Sequence, residues 1–515
     1  MIGALGGAAL NATAAWRRRA LERVWRRPAE VQERTLLRMV RAARDTEFGL
    51  AHDFDHIRGL EDYRARVPLR DYVELKPWLD RAAAAGAGIT WSARATYWVK
   101  TSGTTAGDKA IPVTARALRS HRRGGWNALI MAAERVGGAA LVGGPMLFLG
   151  GSTTLSPGPA GALVGDLSGV VARRMPRVVR GWYSPGEQIA SIADWPTRLT
   201  AIARLVRDQD LRLLSGMPSW MLVLFERIAR ERQAAGLPLR DLGQLWPHLR
   251  VFVHGGVSFA PYRAVFEEWM GRALEYVEVY PASEGFVGVQ TESAGGLTLM
   301  LDYGIFYEFV PVEDLATPQP RRHTVADVEL GRAYAVVLTT PAGLWSYVLG
   351  DTVRFTATDP LRLVITGRTR HYVNAFGENV IVEEVERALL AACRATAAEV
   401  AEFSVAPRFP WAGESRGGHD WLVEFRVPPR DRGAFAARLD AELIALNTDY
   451  RTKRRADVGM LAPRLVEIAH GGFHRWLASR GRLGDQHKVP RVTNTRALAD
   501  ELLAVATVAE AAVRM

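Results

Sequence analysis

The sequence predicts an α/β fold with a substantial parallel sheet, followed by a smaller α+β domain. Three observations lead to this prediction. The 515 residues exceed the size of a usual single domain. From Tyr97 onward, short β-rich apolar runs alternate with helical patterns, as in folds built around parallel strands. After Gly367 this alternation gives way to a small set of mixed helices and strands.

The first hundred residues precede the alternating pattern and are predicted to be mainly helical. Residues 16–43 have the spacing of a basic amphipathic helix, and residues 30–85 are helical with polar connectors. Ligands of α/β folds lie beyond the carboxyl ends of the strands, which is where the motifs described below fall. The clearest strand candidates are 145–149, 211–214 and 251–254, and the clearest helix candidates are 219–233 and 261–270.

The domain boundary is predicted near Gly367 to Gly377, which divides the chain into domains 1–370 and 371–515. The smaller domain is predicted to contain a helix at 382–394, a strand at 421–427, a long helix at 432–446, a strand at 464–469 and further helices.

The composition restricts the class of protein. The formal net charge is +11, from 66 basic and 55 acidic residues. Nucleic acid or a membrane surface would suit this balance, and so would the arginine-favouring composition of a GC-rich genome. We favour the genomic explanation, because no DNA-binding, zinc or RNA-binding motif accompanies the charge. Cys393 is the only cysteine, which excludes an intrachain disulfide and fits a reducing cytoplasm.

The N-terminal segment does not have the order of a secretory signal. Its apolar residues 1–10 precede the arginines at 17–19, whereas a signal peptide begins with the positive charge. The segment is also too short and too rich in glycine to span a bilayer. Helix 16–43 has two interpretations, binding to a membrane surface or packing on the main domain, and the second is simpler. We therefore expect a cytoplasmic protein without an integral membrane segment.

The most informative stretch is 97–112, where an apolar β-rich run enters a turn of Ser, Thr and Gly and continues past a lysine. Glycines let the backbone approach a ligand closely, and the hydroxyls and free N–H groups of such a turn can surround a phosphate. An ordinary surface loop fits the stretch equally well when it is taken alone. The turn residues proposed for phosphate are Ser102, Gly103, Thr104 and Thr105.

This turn is not a Walker A motif. That motif places its lysine directly after the second glycine, followed by a hydroxyl that binds Mg²⁺. Here Asp108 separates Gly107 from Lys109, and Ala110 stands at the hydroxyl position. P-loop ATPases and kinases are therefore excluded. Lys109 is either a phosphate-contacting residue or a solvated charge.

A second segment, 277–285, is a short alternating strand that ends in Tyr280, then small residues, then Glu284. An aromatic ring can stack on a nucleotide base, and a carboxylate can hold Mg²⁺ against phosphates. Taken alone, a strand end capped by a Ser-Glu pair is the simpler interpretation.

Two further segments end strands at polar turns. In 344–353 a strand is predicted to run into a tight turn with Asp351 exposed at its tip, where a carboxylate can accept both hydroxyls of a ribose. A plain Gly-Asp hairpin turn is the alternative. In 364–368 another strand ends at a Gly-Arg pair, and a second turn, 374–380, precedes a helix rich in glutamate.

In this order the segments resemble the motifs of the adenylate-forming superfamily, which includes acyl-CoA synthetases, peptide-synthetase adenylation domains and luciferases. The superfamily carries a Ser/Thr/Gly phosphate loop, an aromatic-x-x-[ST]-Glu segment, a Tyr-x-x-Gly-Asp turn, a Gly-Arg pair and a lysine near the C-terminus, which Lys488 supplies here. The resemblance implies a large N-terminal domain with mixed, largely parallel sheets and a small, mobile C-terminal domain.

The chain is more similar to one branch, the Gretchen Hagen three (GH3) family of acyl-acid amido synthetases known from auxin and jasmonate conjugation. It shares Ser-Gly-Thr-Thr, Tyr-Pro-Ala-Ser-Glu-Gly, Asn-Thr-Asp-Tyr followed by Lys-Arg, and Lys-Val-Pro-Arg, and the resemblance begins near Glu33. There are two departures. Asn379 occupies a position that is lysine in many members, so no phosphate contact is expected there. The phosphate loop begins with Thr101 rather than Ser.

The resemblance implies a role for each matching residue. Glu284 would hold Mg²⁺ against the phosphates of ATP, Asp351 would bind the ribose hydroxyls, and Lys488 would stabilise the leaving charge during adenylation. Arg368 would lie near the ribose or phosphate at the hinge. The other ATP contacts implied are the phosphate cradle Ser102, Gly103, Thr104 and Thr105, the adenine neighbours Tyr280 and Ala282, and Ser283 beside them.

The implied reaction has two halves. A carboxylate attacks the α-phosphate of ATP and gives an acyl adenylate and pyrophosphate. An amine, usually an amino acid, then attacks the activated carbonyl, forming an amide and AMP. Two alternatives remain: transfer to coenzyme A or another thiol, and a degenerate protein that binds nucleotide without catalysis. The sequence determines neither the acid, the acceptor nor the oligomeric state.

Other chemistry is less well supported. No Ser-His-Asp arrangement or G-x-S-x-G elbow is legible, so no covalent acyl-enzyme is expected. His254, in Val-His-Gly-Gly after a strand, is interpreted equally as a neighbour of the acyl site or as a hydrogen-bonded structural residue. The acid pocket is placed, from chain position alone, near Trp126, Leu129 and Met217.

Overall fold

The structure is a computed structural model in which two compact units are each described by themselves. The large unit contains Met1–Val364, and the small unit contains Ile365–Leu483 and His487–Met515. The residues described are 2–101, 109–175, 177–256, 259–260, 262–315, 317–369, 372–373, 375, 378, 380–408, 418–447, 450–451, 454, 460–481, 488–493 and 495–513.

The large unit combines helices with two mixed sheets, as the sequence predicts. Its helices are α1 (Ile2–Trp25), α2 (Pro28–Ala43), α3 (Glu47–Ala51), α4 (Leu60–Arg66), α5 (Tyr72–Ala85), α6 (Ala115–Val136), α7 (Gly138–Val142), α8 (Leu167–Arg173), α9 (Arg177–Arg180), α10 (Gly186–Ala190), α11 (Trp195–Arg207), α12 (Pro218–Ala234) and α13 (Arg263–Met270).

Its strands begin in the predicted phosphate-loop region, and the last of them runs across the boundary between the units. They are β1 (Tyr97–Thr101), β2 (Lys109–Val113), β3 (Met146–Leu149), β4 (Ser156–Pro157), β5 (Leu163–Gly165), β6 (Tyr183–Ser184), β7 (Leu213–Gly216), β8 (Val251–Gly255), β9 (Glu275–Pro281), β10 (Phe286–Val289), β11 (Leu297–Leu299), β12 (Phe306–Pro311), β13 (Ala333–Thr340), β14 (Leu344–Thr358) and β15 (Leu361–Arg368).

The N-terminal region is helical, but the prediction of one helix over 16–43 is wrong. Helix α1 ends at Trp25 and α2 begins at Pro28. Proline at the first helical position lacks an N–H that a helix start would leave unpaired anyway, whereas in a helix interior it breaks the ladder. The proline therefore starts a new helix and turns the chain.

The large sheet is parallel in one half and antiparallel in the other. Its eleven strands follow the order β12-β13-β14-β15-β11-β10-β9-β8-β7-β3-β6. Neighbours from β6 to β9 are parallel, and the β9–β10, β10–β11 and β11–β15 pairs are antiparallel. The antiparallel half follows from its connections, because short turns join antiparallel strands whereas parallel ones need a crossover. The carboxyl ends of β7, β8 and β9 lie at one edge.

Two apolar clusters hold this sheet. One packs α2 and α5 against the antiparallel strands, with Trp345 and Tyr347 among its largest members. The other packs α1 and α6 against the parallel strands through residues such as Met131 and Val277. Helix α6 therefore lies directly over β9, so the residues that follow the phosphate loop rest on the strand that leads to Glu284.

The small unit is an α+β domain, as predicted. Its core joins a three-stranded sheet, in the order β18-β19-β20, to two helices. Its elements are β16 (Tyr372–Val373), β17 (Val380–Ile381), α14 (Val382–Thr396), β18 (Glu399–Arg408), β19 (Gly418–Val427), α15 (Arg432–Leu446), β20 (Arg464–Ile468), α16 (Gly472–Ser479) and α17 (Ala497–Val513).

A buried ion pair fastens the antiparallel half of the large sheet. Glu308 of β12 is 1% exposed and receives two hydrogen bonds from Arg322, at 2.9 and 2.6 Å. The same guanidinium donates to the hydroxyl of Ser346 in β14 at 2.6 Å. Both charges are removed from water, and Arg322 supplies the two shortest hydrogen bonds to Glu308, with Arg64 a third contact at 3.5 Å.

We expect Arg322→Met to lower the free energy of unfolding of the large unit by about 3–5 kcal/mol, because it removes the two shortest hydrogen bonds to the buried Glu308 carboxylate and leaves the longer contact with Arg64. Urea denaturation measures the change. The matched control is Arg321→Met, since the Arg321 side chain is 66% exposed and lies 3.6 Å from Asp327. Arg321→Met should lower the free energy of unfolding by less than about 1 kcal/mol. Equal losses in the two variants would contradict the role given to Arg322.

Candidate functional site

The candidate site lies where β9 leaves the large sheet and enters the turn 282–285. Tyr280 is 5% exposed near the end of β9, and Glu284 is 8% exposed in the turn. The N–H of Ala282 donates to the carbonyl of Gly285 at 3.1 Å, and the N–H of Gly285 donates back to Ala282 at 3.2 Å. These reciprocal bonds hold Ser283 and Glu284 in a tight turn.

Helix α6 contacts this turn through one buried side chain. Its His121 is fully buried and hydrogen-bonds to the backbone of Ser283. Burial lowers the pKa of His121 to about 4, so the ring is neutral at pH 7. The sequence reasoning missed His121. Its position 16 residues beyond Thr105, on the helix that follows the phosphate loop, was the only available signal.

Two tyrosines and two carboxylates join the end of β9 to β14. The hydroxyl of Tyr280 donates to Oδ2 of Asp351 at 2.5 Å, and the hydroxyl of Tyr347 lies 3.5 Å from Oε1 of Glu284. Each segment thus supplies a tyrosine and, four residues later, a carboxylate, and each tyrosine bonds to the carboxylate of the other segment. We call this set of four residues the tyrosine–carboxylate exchange. It brings together two motifs that are about 70 residues apart in the sequence.

Asp351 differs from the sequence prediction. The prediction of a tight turn with Asp351 exposed at its tip is wrong, because β14 continues from Leu344 to Thr358 and Asp351 is 8% exposed within it. Gly350, with φ of +91°, gives the strand the local bend that the Gly-Asp pair suggested. The aspartate therefore faces Tyr280 in the interior of the site.

The backbone of β14 is strained just before Tyr347. Ser346 has φ of +45°, a left-handed conformation that a non-glycine residue rarely adopts in a strand. Its N–H donates to the hydroxyl of Thr339, and its hydroxyl lies 2.9 Å from that of Tyr63. With the bond from Arg322, these contacts hold the strained residue in place. The strained residue directly precedes Tyr347 in β14.

A polar pair, the buried His254 and the half-buried Glu278, lies beside the exchange on neighbouring strands. His254 of β8 and Glu278 of β9 are directly opposite each other in the parallel register. Side chains at i and i+2 of a strand share a face, so Glu278 lies on the same face as Tyr280. The ring centres of His254 and Phe259 are 4.5 Å apart. The Nδ1 of His254 has no hydrogen-bond partner among the described residues. Burial lowers the pKa of His254 to about 3, and the charge of Arg263 adds to this, so the ring is neutral at pH 7.

Glu278 was not singled out by the sequence reasoning. Burial raises the pKa of its carboxyl group to about 7, so that it is half ionised near neutral pH. A signal was present, because the alternation Val-Glu-Val-Tyr puts a carboxyl two residues before the predicted aromatic. A perturbed carboxyl at the carboxyl end of a parallel strand is a candidate functional group.

The predicted phosphate-loop residues Ser102, Gly103, Thr104 and Thr105 lie outside the described residues. The strands on either side of them are described: β1 and β2 pair antiparallel, with Thr101 opposite Lys109. The Nζ of Lys109 lies 5.4 Å from the centre of the Tyr72 ring. Lys109 therefore has a cation–π contact, which neither of its two sequence interpretations included.

The remaining predicted residues are placed as follows. Arg368 is the last residue of β15, and its side chain lies outside the described part. Lys488 is exposed in the small unit, and Asn379 lies outside the described residues. Of the three residues predicted for the acid pocket, Trp126 is 39% exposed on α6, Leu129 is buried there in the core, and Met217 is half-buried where α12 begins.

The described site does not surround a metal ion with several protein ligands. Among the described residues, no group of three or more His, Cys, Asp or Glu side chains could enclose a metal ion. Magnesium does not require such a cage, because it is commonly bound through one or two carboxylates together with substrate phosphates and water. The buried Glu284, oriented by Tyr347, fits that mode of binding.

The fold and the site together define the class of protein. A GH3.15 acyl acid amido synthetase has a similar structure, with a TM-score of 0.78 at 17% identity over 92% of this chain and 93% of that one. A 2-hydroxyisobutyryl-CoA ligase in complex with 2-HIB-AMP is more distant, with a TM-score of 0.57 at 16% identity over 91% of each chain. These likenesses show the fold of adenylate-forming ligases.

The chain belongs to the GH3 family. Residues 17–212 match the GH3 family N-terminal domain, residues 298–368 the central domain and residues 383–497 the C-terminal domain. The expected resemblance is thereby confirmed along most of the chain. No helix among the described residues combines the length and hydropathy needed to cross a bilayer.

Individual relatives are distant. An indole-3-acetic acid-amido synthetase GH3.8 of Oryza sativa subsp. indica is 29% identical over 48% of this chain and 44% of its own length. A probable indole-3-acetic acid-amido synthetase GH3.2 of Oryza sativa subsp. japonica is 25% identical over 90% of this chain and 88% of its own. The chain thus spans less than half the length of the first of these curated relatives.

The pKa of Glu278 yields a prediction about stability. A carboxyl whose pKa is raised from its ordinary value of 4.5 to about 7 on folding favours the folded state below pH 4.5 and loses that advantage as pH rises to about 7. Glu278→Gln should therefore gain stability over the wild type between these pH values, by as much as about 3 kcal/mol above pH 7. Urea denaturation of both proteins from pH 4 to 8 measures the difference. A difference that does not change with pH would contradict the burial argument.

Proposed function

We propose that the protein is an ATP-dependent ligase that adenylates a carboxylic acid and transfers the acyl group to an amine, with an amino acid as the expected acceptor. The observation that supports this most is the tyrosine–carboxylate exchange, because it places Asp351 and Glu284 in one buried site of a GH3 family chain. Both of these carboxylates are assigned to ATP by the family resemblance. The names of the relatives, which are amido synthetases, support the acceptor class.

Nucleotide recognition is assigned to the β9 side of the site. Asp351 is proposed to accept hydrogen bonds from the ribose hydroxyls, as the family motif implies, with Tyr280 holding its Oδ2 in place. Tyr280, Ala282 and Ser283 border the base. We add Glu278 to this set, because it shares the face of Tyr280 and its carboxyl can accept an N–H bond from the exocyclic amine of adenine.

We assign the neutralisation of the phosphate charge to Glu284, through Mg²⁺, and to the phosphate loop. We propose that Glu284 holds Mg²⁺ with ATP, with Tyr347 and the turn hydrogen bonds keeping the carboxylate in place. When bound, the ion neutralises phosphate charge and orients the oxygens for in-line displacement. Ser102, Gly103, Thr104 and Thr105 are proposed to donate hydrogen bonds to the phosphates, as the family motif implies.

The two domains are proposed to have different roles. We propose that domain 1–370 binds ATP and the acid and that domain 371–515 acts as a lid. Lys488 is proposed to stabilise the charge that develops as pyrophosphate leaves, and Arg368 to contact ribose or phosphate. We also propose a cytoplasmic location, which agrees with a single cysteine that is partly buried.

The chemistry balances in two steps. An oxygen of the substrate carboxylate bonds to the α-phosphorus, and the bond from that phosphorus to pyrophosphate breaks. The amine nitrogen then bonds to the acyl carbon, the bond from that carbon to the AMP oxygen breaks, and the nitrogen loses a proton to solvent. Catalysis rests on positioning and electrostatic stabilisation, since charge develops on phosphate oxygens in the first step.

Carboxylate-dependent exchange between ATP and pyrophosphate tests the proposal. We expect exchange with at least one acid from a panel of indolyl, aryl and fatty acids, followed by amide formation when amino acids are supplied. Lys488→Ala should lower the exchange rate at least about 100-fold, because it removes a charge that acts on the transition state. Lys76→Ala is the matched control, because Lys76 lies on α5 and pairs with the exposed Asp80. It should leave the rate unchanged.

Other outcomes would contradict parts of the proposal. Exchange followed by thioester formation with coenzyme A, but no amide, would replace the amine acceptor with a thiol. Tight ATP binding without exchange for any acid class would favour a nucleotide-binding protein without catalysis. A protein that does not bind ATP would contradict the whole assignment.

A further inference from the structure

Helix α1 presents a fixed outer face to solvent. Its inner face is attached to the large unit through Leu10, Ala14 and Leu21 in the core. The buried guanidinium of Arg17 also donates two hydrogen bonds to Asp302, at 2.7 and 3.0 Å. Since the helix cannot roll without breaking this buried pair, the side chains opposite are held outward.

These outward side chains form a single stripe, which we call the outer stripe. Successive members are three or four residues apart, the spacing that places side chains on one helix face. The stripe is about 27 Å long at 1.5 Å per residue. It consists of the exposed residues Leu5, Ala8, Ala12, Trp16, Arg19 and Arg23.

The N-terminal half of the outer stripe is apolar. Leu5 is 69% exposed and Trp16 is 63% exposed, and only alanines lie between them on the stripe. Single exposed apolar residues are common, whereas an exposed tryptophan and leucine in line with a cationic cluster are not explained by folding. Tryptophan has an apolar ring and one N–H donor, which suits the boundary between lipid headgroups and acyl chains.

The C-terminal half of the outer stripe is basic. Arg19 and Arg23 are exposed, and Arg26 is exposed just beyond the helix end. Neighbouring Arg18 and Arg27 are within 4 Å of glutamates, whereas no ion pair is described for Arg19, Arg23 or Arg26 in the part of the chain that the structure covers. Glu22 is the one acidic residue in the sequence of α1, and it lies at the flank of the stripe.

We propose that the outer stripe docks the protein on the surface of an anionic lipid bilayer. Leu5 and Trp16 would enter the headgroup boundary, and the arginines would pair with lipid phosphates and carboxylates, since basic side chains near an anionic surface each add to binding. Nucleic acid would use only the basic half and leave Leu5 and Trp16 in water. A second copy packed through the stripe would bury arginines with only Glu22 to neutralise them.

Sedimentation of the full chain with vesicles tests this inference. At about 0.1 M salt the wild type should bind vesicles of phosphatidylcholine with about one-third phosphatidylserine, and it should bind pure phosphatidylcholine at least tenfold more weakly. Arg19→Ala, Arg23→Ala and Arg26→Ala combined should lower the partition coefficient at least about tenfold. Trp16→Ala alone should lower it several-fold.

The control variant combines Arg94→Ala, Arg240→Ala and Arg250→Ala, which removes the same charge from exposed positions outside α1. It should retain binding to within about twofold. Circular dichroism confirms that each variant is folded. An equal loss of binding in the control would mean that only net charge matters, which contradicts a specific role of the outer stripe. Failure of the wild type to bind either vesicle would also overturn the proposal. Binding to duplex DNA that Trp16→Ala leaves unchanged, or concentration-dependent dimers that Trp16→Ala abolishes, would also contradict it.

Discussion

The candidate site depends on the exchange of hydrogen bonds between Tyr280 and Asp351 and between Tyr347 and Glu284. Tyr280 donates a hydrogen bond to the buried carboxylate of Asp351, and the hydroxyl of Tyr347 lies 3.5 Å from that of Glu284, so each tyrosine helps to satisfy a carboxylate that is largely shielded from water. The exchange also fixes the distance between the end of β9 and the middle of β14. Under the proposed function, Asp351 would bind the ribose and Glu284 the metal ion of one nucleotide, which requires that distance to be constant.

The surrounding fold maintains this arrangement on both sides. On one side, α6 supports the 282–285 turn through His121, and the turn closes on itself. On the other side, the buried network of Arg322 and Glu308 holds the strained Ser346 in place, next to Tyr347 in β14. The strain at Ser346 is tolerated because the network that surrounds it determines its conformation. Residues that stabilise the fold, such as Arg322 and Glu308, thus hold the backbone that carries the side chains of the site.

The sequence predicted the fold class and several strands and helices, such as β8, α12 and α15, because apolar runs and helical spacing are local signals. It also proposed Glu284 and Asp351 for the nucleotide site, since each follows an aromatic at a fixed spacing, and the structure brings the two segments together. It could not predict that the two motifs bond to each other, because pairing between segments 70 residues apart is set by the sheet order. The exposed tip expected for Asp351 failed for the same reason: Gly-Asp is ordinary turn chemistry, and only the neighbouring strands show that β14 continues through it. His121 was missed because a single buried histidine carries no pattern.

The most direct test of the central claim is a double-mutant cycle on the exchange, read out by calorimetric affinity for ATP with Tyr280→Phe, Tyr347→Phe and both together. Each single variant should weaken ATP binding, and because both bonds join the same two segments, the two effects should be coupled by at least about 0.5 kcal/mol. Additive effects, or affinities equal to that of the wild type, would show that the two bonds do not organise the nucleotide site.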